Sequence, residues 1–262
     1  LALGLARAGV EVVLVEARAA QPWHAADYDL RVFAVSPASQ AMLSRLGAWD
    51  GVRARRLQPY ARMRVWETGD ADELSFSAAD IAADELGWIV EDAVLKAALW
   101  ERVLATPAIS VIAPARVEAL TVDARRATLT LDDGRRIDAA LVVAADGAHS
   151  RVRELAGIAV DDTPYGQRAI VAHLPIEKPH EHTAWQRFTI DGPLAMLPLA
   201  DGRASLVWSV RDERARELLA LDDADFAAAV AAALGGRFGA IGAPAARAAF
   251  PLRMMLARAP TA

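Results

Sequence analysis

The stretch Leu141-Val142-Val143-Ala144-Ala145-Asp146-Gly147-Ala148-His149-Ser150-Arg151 decides how the chain is read. Its opening apolar run suits a strand buried on both faces, Asp146-Gly147 interrupts the run, and the residues from Ala148 onward favour a helix. A ligand would then sit at the strand's carboxyl end, where loops and helix amino-termini converge with unpaired N–H groups. On this stretch alone Asp146 has two readings. It accepts a hydrogen bond from a sugar hydroxyl, or it caps the helix that follows.

Toward the N-terminus, Leu1 and Leu5 share one helical face, Gly9 fits a left-handed helix stop, and residues 10–15 form an apolar strand ending at Glu16. Helix, glycine stop, buried strand and terminal acid form the second half of a dinucleotide-binding βαβ unit. The acid of such a unit lies about twenty residues past a glycine-rich turn. Counting back from Glu16 puts that turn ahead of Leu1, so the sequence is expected to be an internal stretch of a longer protein. The alternative is a plain α/β unit with Glu16 as a surface acid. Further on, Ser36 is a good N-cap with Pro37 at the tolerated first position, and Met42, Leu43 and Leu46 give one apolar face ending at Gly47. Arg31, just ahead, carries a planar fork that matches phosphate oxygens, or is a surface arginine.

The chain has 262 residues, 54% of them apolar, enough for one large or two ordinary domains. Net charge is −5 with Lys and Arg scattered, which argues against a nucleic-acid partner. No apolar run approaches the length of a membrane span. With Cys 0, disulfides and thiolate metal sites are excluded, and His180 and His182 beside Pro179 read as a solvated turn rather than a metal site. No metal is expected.

Downstream, residues 62–66 alternate like a strand and lead through a polar, acidic passage, read as an excursion over about 61–85 into a second domain. Residues 91–104 have helical apolar spacing. Strands at 117–122, 127–131 and 141–144 form a meander with a turn at Asp133-Gly134. Past Gly157, alternating runs at 168–174, 183–190, 194–199 and 204–210 suit an antiparallel sheet with one covered face, followed by a helical stretch at 214–234 and a strand from Phe250. The expected fold class is α/β. A Rossmann-like domain over 1–160, lacking its first strand and glycine loop, is joined to a mostly antiparallel domain over 161–262.

Several segments together resemble the flavin-dependent aromatic hydroxylases and, within them, the ubiquinone-biosynthesis hydroxylase family. They are the helix-strand-Glu16 start, Asp29-x-Arg31-x-x-Ala34 leading to Leu46-Gly47-x-Trp49, and Ala145-Asp146-Gly147-Ala148-x-Ser150-x-x-Arg153. Gln186-Arg187-Phe188, Gly192-Pro193-Leu194-Ala195-Met196-Leu197-Pro198-Leu199, Asp201-Gly202-Arg203 and Ser205-Leu206-Val207-Trp208-Ser209 support the narrower family. The resemblance implies FAD as cofactor. Glu16 would hold the adenosine ribose, Arg31 the pyrophosphate, and Asp146 with Gly147 the flavin side.

It further implies that NAD(P)H reduces the flavin, that O₂ gives a flavin hydroperoxide, and that a phenolic, polyprenylated ring is hydroxylated. Substrate candidates are Arg187, Phe188 and Trp208, with Met196 as lining. Each is also readable as ordinary sheet packing or, for Arg187, as a surface charge. No acid or base is singled out. The resemblance places the protein in the cytoplasm, peripheral on the inner membrane, with contacts to a biosynthetic complex. Three features depart from the family: the glycine loop is missing, the later Gly-Asp motif expected soon after Arg258 is absent, and Asp92-Ala93 stands where relatives often carry Asn-Arg. The chain by itself is therefore expected to bind FAD poorly or not at all. Alternative readings are a hydroxylase of a small soluble aromatic acid, a prenyl reductase on the same scaffold, or a domain that lost its cofactor.

Overall fold

The computed structural model describes residues 1–67, 73–259 and 261, so residues 68–72 of the 61–85 excursion lie outside the described residues. In chain order the first half runs α1 (Ala2–Arg7), β1 (Val12–Val15), β2 (Val32–Val35), α2 (Pro37–Arg45), α3 (Trp49–Arg55), β3 (Gln58–Tyr60), β4 (Arg62–Glu67), β5 (Leu74–Ser77), β6 (Gly87–Glu91) and α4 (Asp92–Leu104). The second half runs β7 (Ile109–Ile112), β8 (Val117–Val122), β9 (Ala127–Leu131), β10 (Arg136–Ala139), α5 (Arg151–Leu155), β11 (Val160–Leu174), β12 (Thr183–Thr189), β13 (Gly192–Pro198), β14 (Ala204–Arg211), α6 (Asp212–Ala220), α7 (Asp223–Ala233) and β15 (Arg247–Ala257). These elements pack as two compact units, one of Leu1–Gln21, Trp100–Tyr165 and Arg253–Ala262, the other of Pro22–Leu99 and Gly166–Leu252. The chain thus passes between units after Gln21, Leu99, Tyr165 and Leu252, where the sequence suggests a boundary near residue 160 and an excursion over about 61–85.

In the first unit β1 and β7 pair in parallel, from Val12 opposite Ile109 to Val15 opposite Ile112. The turn into β1 is made by Gly9 at φ +81, and the N–H groups of Gly9 and Val10 return to the carbonyls of Ala6 and Leu5, both at 3.0 Å. The meander β8-β9-β10 is antiparallel throughout, and Leu129 and Leu131 are buried along β9. Its third strand is Arg136–Ala139, not the apolar run at 141–144. Residues 141–145 join no ladder, and Leu141 and Val143 are 74% and 50% exposed. A strand needs hydrogen-bonding edges as well as apolar side chains. Residues 141–145 pair with no strand among the described residues, so an apolar run that reads as a core strand lies open.

The second unit is built on a seven-stranded sheet in the order β15-β11-β14-β13-β12-β4-β5, where β4 runs parallel to β12 and the pairs β11–β14, β14–β13, β13–β12 and β4–β5 are antiparallel. One face carries Ile170, Met196, Leu206 and Trp208, packed with Leu218, Phe226 and Val230 from α6 and α7. The alanine-rich stretch expected as one helix is two, because the Asp222 side chain accepts the Asp225 N–H at 2.8 Å and caps a new helix there. A second core lies in the same unit. Val35, Leu43, Trp49, Val52, Val90 and Val94 come together where the small sheet β2-β6-β3 meets α2, α3 and α4. Ser36 caps α2 as its sequence suggests, accepting the Ser39 N–H at 3.3 Å, whereas Met42 is exposed.

The end of α3 and the end of β6 are joined by a buried ion pair. Arg56 Nε meets Glu91 Oε1 at 2.6 Å and Arg56 Nη2 meets Oε2 at 3.0 Å. Arg56 also donates to the carbonyls of Ala25, at 2.8 Å, and Asp27, while Glu91 Oε2 accepts the Asp29 N–H at 2.8 Å. The irregular segment 25–29 is therefore hung on two charges that satisfy each other. Removing one partner leaves the other buried and uncompensated. Arg56→Met is expected to cost about 3–5 kcal/mol in urea unfolding of the natural protein, and the joint Arg56→Met/Glu91→Leu change less than that single one. A joint loss equal to the sum of the two single losses would show that the pair is not coupled.

Candidate functional site

In the first unit the backbone fixes Glu16 at the carboxyl end of β1: its N–H donates to Ile112 O at 3.1 Å and its carbonyl accepts the Ala115 N–H at 2.9 Å. Its side chain is exposed, with Oε1 taking the Arg18 N–H at 3.0 Å. Asp146 follows the open 141–145 run and engages both carboxylate oxygens, Oδ1 with the Ser150 hydroxyl and Oδ2 with the Val152 N–H at 3.1 Å. Ser150 Oγ in turn accepts the Arg153 N–H at 2.9 Å. The helix-capping reading of Asp146 thus describes its geometry. Partial burial raises its carboxyl pKa, but the Ser150 and Val152 hydrogen bonds outweigh this and hold it below the ordinary value.

Capping does not exhaust the group, since a carboxylate offers about four lone-pair sites and Asp146 is exposed. Gly147 beside it sits at φ +85 with open space where a Cβ would point, so a ligand can approach its backbone closely. An acid at a parallel strand's end, and an acid followed by an unobstructed glycine, are donor-accepting groups that fit the sugar and ring-side parts of a dinucleotide.

In the second unit Arg31 precedes β2. Its N–H donates to Asp29 Oδ1 at 3.0 Å, its carbonyl accepts the Asp92 N–H at 3.0 Å, and its exposed guanidinium stands 5.6 Å from the Phe250 ring. No carboxylate among the described residues pairs with it, which leaves the fork available to an anion. Where relatives were expected to carry Asn-Arg, Asp92 instead pairs with Lys96 at 2.6 Å and the Ala93 N–H goes to Asp29 Oδ2 at 3.2 Å.

The three substrate candidates separate by sheet face. Arg187, Leu194 and Trp208 lie opposite one another across β12, β13 and β14, so they share the face covered by α6 and α7. Arg187 donates to Ala233 O at 2.6 Å at the carboxyl end of α7, and Trp208 and Met196 are wholly enclosed in the core. Trp208 and Met196 are packed as the sheet-packing alternative describes, whereas Arg187, read alternatively as a surface charge, is half-buried against α7. Phe188 turns to the other face and is 44% exposed.

That other face holds two residues the sequence reading passed over. His173 on β11 and Ser205 on β14 are direct partners in the ladder and both are buried. Burial, with the Arg203 charge nearby, keeps the His173 imidazole below its ordinary pKa and so neutral near pH 7. Tyr28 meets His173 edge-on at 6.0 Å; its ring also lies 3.4 Å from the Arg56 guanidinium and 4.5 Å from that of Arg203, and its hydroxyl hydrogen-bonds Asp201. A small pocket in this unit is lined by Tyr28, Arg56, Gln58, Ile89, Glu91 and Leu199. The sequence signal for His173 and Ser205 was available: one polar residue inside each of two facing apolar runs.

Residues 1–259 match the family described as FAD binding domain. The chain belongs to this FAD-binding family. Within it the chain is 40% identical over 253 residues to the 3-demethoxyubiquinol 3-hydroxylase of Escherichia coli, covering 96% of this chain and 64% of that protein. It is 38% identical over 239 residues to the ubiquinone hydroxylase UbiL of Rhodospirillum rubrum, covering 91% of this chain and 55% of the relative. The chain therefore spans somewhat over half the length of these relatives. Among solved structures, Pseudomonas aeruginosa PqsL in complex with 2-aminobenzoylacetate superposes with a TM-score of 0.76 at 22% identity, over 96% of this chain and 69% of that one, which shows a shared fold. No helix among the described residues is long and apolar enough to cross a membrane.

The Asp146 cap carries a pH signature. Its depressed carboxyl means the unfolded chain binds more protons, so the cap's stabilisation is fully present above the ordinary value of 3.8 and is lost as pH falls through the folded value. Asp146→Asn is expected to lower the urea midpoint near pH 7 and to flatten its decline below about pH 4. An unchanged acid limb in the variant would refute the assignment.

Proposed function

We propose that the natural protein is an FAD-dependent monooxygenase that hydroxylates a phenolic, polyprenylated ring in ubiquinone biosynthesis. The observation that carries this is the 40% identity to a 3-demethoxyubiquinol 3-hydroxylase across 96% of the chain. Atoms balance as ring C–H plus O₂ plus NAD(P)H plus a proton giving ring C–OH, water and NAD(P)⁺. When bound, FAD supplies the two-electron exchange and the activation of O₂ that side chains cannot provide.

The chain's own part is holding and enclosing. Glu16, exposed at a strand's carboxyl end, accepts a ribose hydroxyl. Asp146 and the open backbone of Gly147 serve the ring side, and the unpaired Arg31 fork serves phosphate oxygens. In this reading cofactor contacts fall to residues within 1–160, and substrate contacts to residues within 161–262. The apolar half of the sheet face that carries Phe188 suits a hydrophobic ring and excludes water from it. A prenylated substrate also favours action at the inner-membrane surface from the cytoplasm, beside other enzymes acting on the same lipid.

The test is oxidation of NAD(P)H by the flavin-loaded natural protein, with product analysis by mass. Oxidation that depends on a prenylated phenol, with one oxygen atom added to it, is expected. Turnover only with a small aromatic acid, or saturation of a prenyl chain, moves the protein to another reaction on this scaffold. In the same protein Glu16→Ala is expected to weaken FAD binding about tenfold or more, read by flavin fluorescence titration, as loss of a charge-assisted hydrogen bond predicts. Unchanged affinity removes Glu16 from the cofactor site.

A further inference from the structure

His173 and Ser205 pose a problem that the fold itself does not solve. His173 is 3% exposed and Ser205 is 0% exposed, and neither His173 Nε2 nor Ser205 Oγ has a hydrogen-bond partner among the described residues. Leaving a buried polar atom unsatisfied is destabilising, and two such atoms stand side by side here. They are directly opposed across the β11–β14 ladder, so their side chains leave the sheet together, on the face away from α6 and α7. The next pair on that face is Val171 with Val207, and the neighbouring β13 positions are Ala195 opposite Val207 and Leu197 opposite Ser205. The result is an apolar strip of small and branched side chains ending in two buried polar atoms without partners, with the Tyr28 ring edge-on to His173.

We propose that His173 and Ser205 together receive the ring hydroxyl of the aromatic substrate, with the ring lying along Val171, Val207, Ala195 and Leu197. This rests on the hydroxylase reading above and names what that reading lacks, the residues that orient the phenol. The chemistry selects the ligand group. A neutral imidazole nitrogen and a hydroxyl can each donate or accept, so a ligand hydroxyl, which also does both, pairs with the two of them in either imidazole tautomer. An ether oxygen only accepts, so it pairs with the imidazole in one tautomer alone. A site that hydrogen-bonds a substrate hydroxyl strongly rejects the analogue without it, because its own polar atoms are then left unpaired.

The experiment uses the natural protein loaded with FAD and two probes, 2-prenylphenol and its methyl ether, with affinities read from perturbation of the flavin absorbance. The unsubstituted protein is expected to prefer the phenol by about tenfold or more. His173→Leu should abolish that preference, Ser205→Ala should reduce it, and His173→Gln should restore part of it, all with the ether's affinity unchanged. A purely structural role would shift both probes together and leave the ratio intact. The proposal is overturned if the unsubstituted protein shows no preference, or if the ratio survives in His173→Leu. Should that variant fail to fold, a ratio unaltered by Ser205→Ala overturns it equally. A crystal structure with a water bridging the two side chains, undisplaced by the phenol, does the same. A clear phenol preference without oxygenated product from any phenol would retain the seat while removing the hydroxylase reading.

Discussion

A β-strand must send successive side chains to opposite faces, and the functional layout of this protein depends on how that alternation falls across the seven-stranded sheet. Register ties the strands together, so one assignment settles them all. Once Trp208 packs under α6 and α7, Leu194, Arg187 and Ile170 must face the same way. Val207, Ser205, Val171 and His173 are then committed to the other face. A one-residue slip in any ladder would exchange the two sets, and the burial of large apolar residues against the helices is what forbids it.

The same constraint explains why residues with similar sequence appeal end in different roles. Arg187 and Trp208 look like ligand-binding residues because they are large and polar-tipped. The first satisfies the open carbonyl of Ala233 at a helix end, and the second fills the core. His173 and Ser205 are inconspicuous among apolar neighbours, yet they are the polar atoms left without partners on the face not covered by those helices. Burial without satisfaction is costly, so it marks a place where the native state accepts a penalty that a ligand can relieve.

Elsewhere in the second unit a buried pair of charges answers itself. The segment 25–29 has no regular structure of its own; Arg56 holds its carbonyls and Glu91 holds the Asp29 N–H, while the two charges neutralise each other. Tyr28 is fixed by this arrangement, between two guanidinium groups and against His173. In the first unit the acids are placed differently. Glu16 is carried to the surface by a short parallel strand, and Asp146 is drawn into capping α5 with its oxygens oriented by Ser150 and Val152.

Local chemistry was legible from the residues alone: the Gly9 stop, the Ser36 cap, the strand that ends at Glu16 and the alternating runs of the large sheet all rest on interactions within a few positions of each other. The family, too, could be read from motif order and spacing, and residues 1–259 match it. Only the tertiary structure decided that residues 141–145 lie open rather than in a ladder, which face each sheet residue takes, and that His173 stands beside Ser205 unpaired. Those outcomes depend on partners in other elements of the fold. A periodicity in the chain records that a face exists, and says nothing of what covers it.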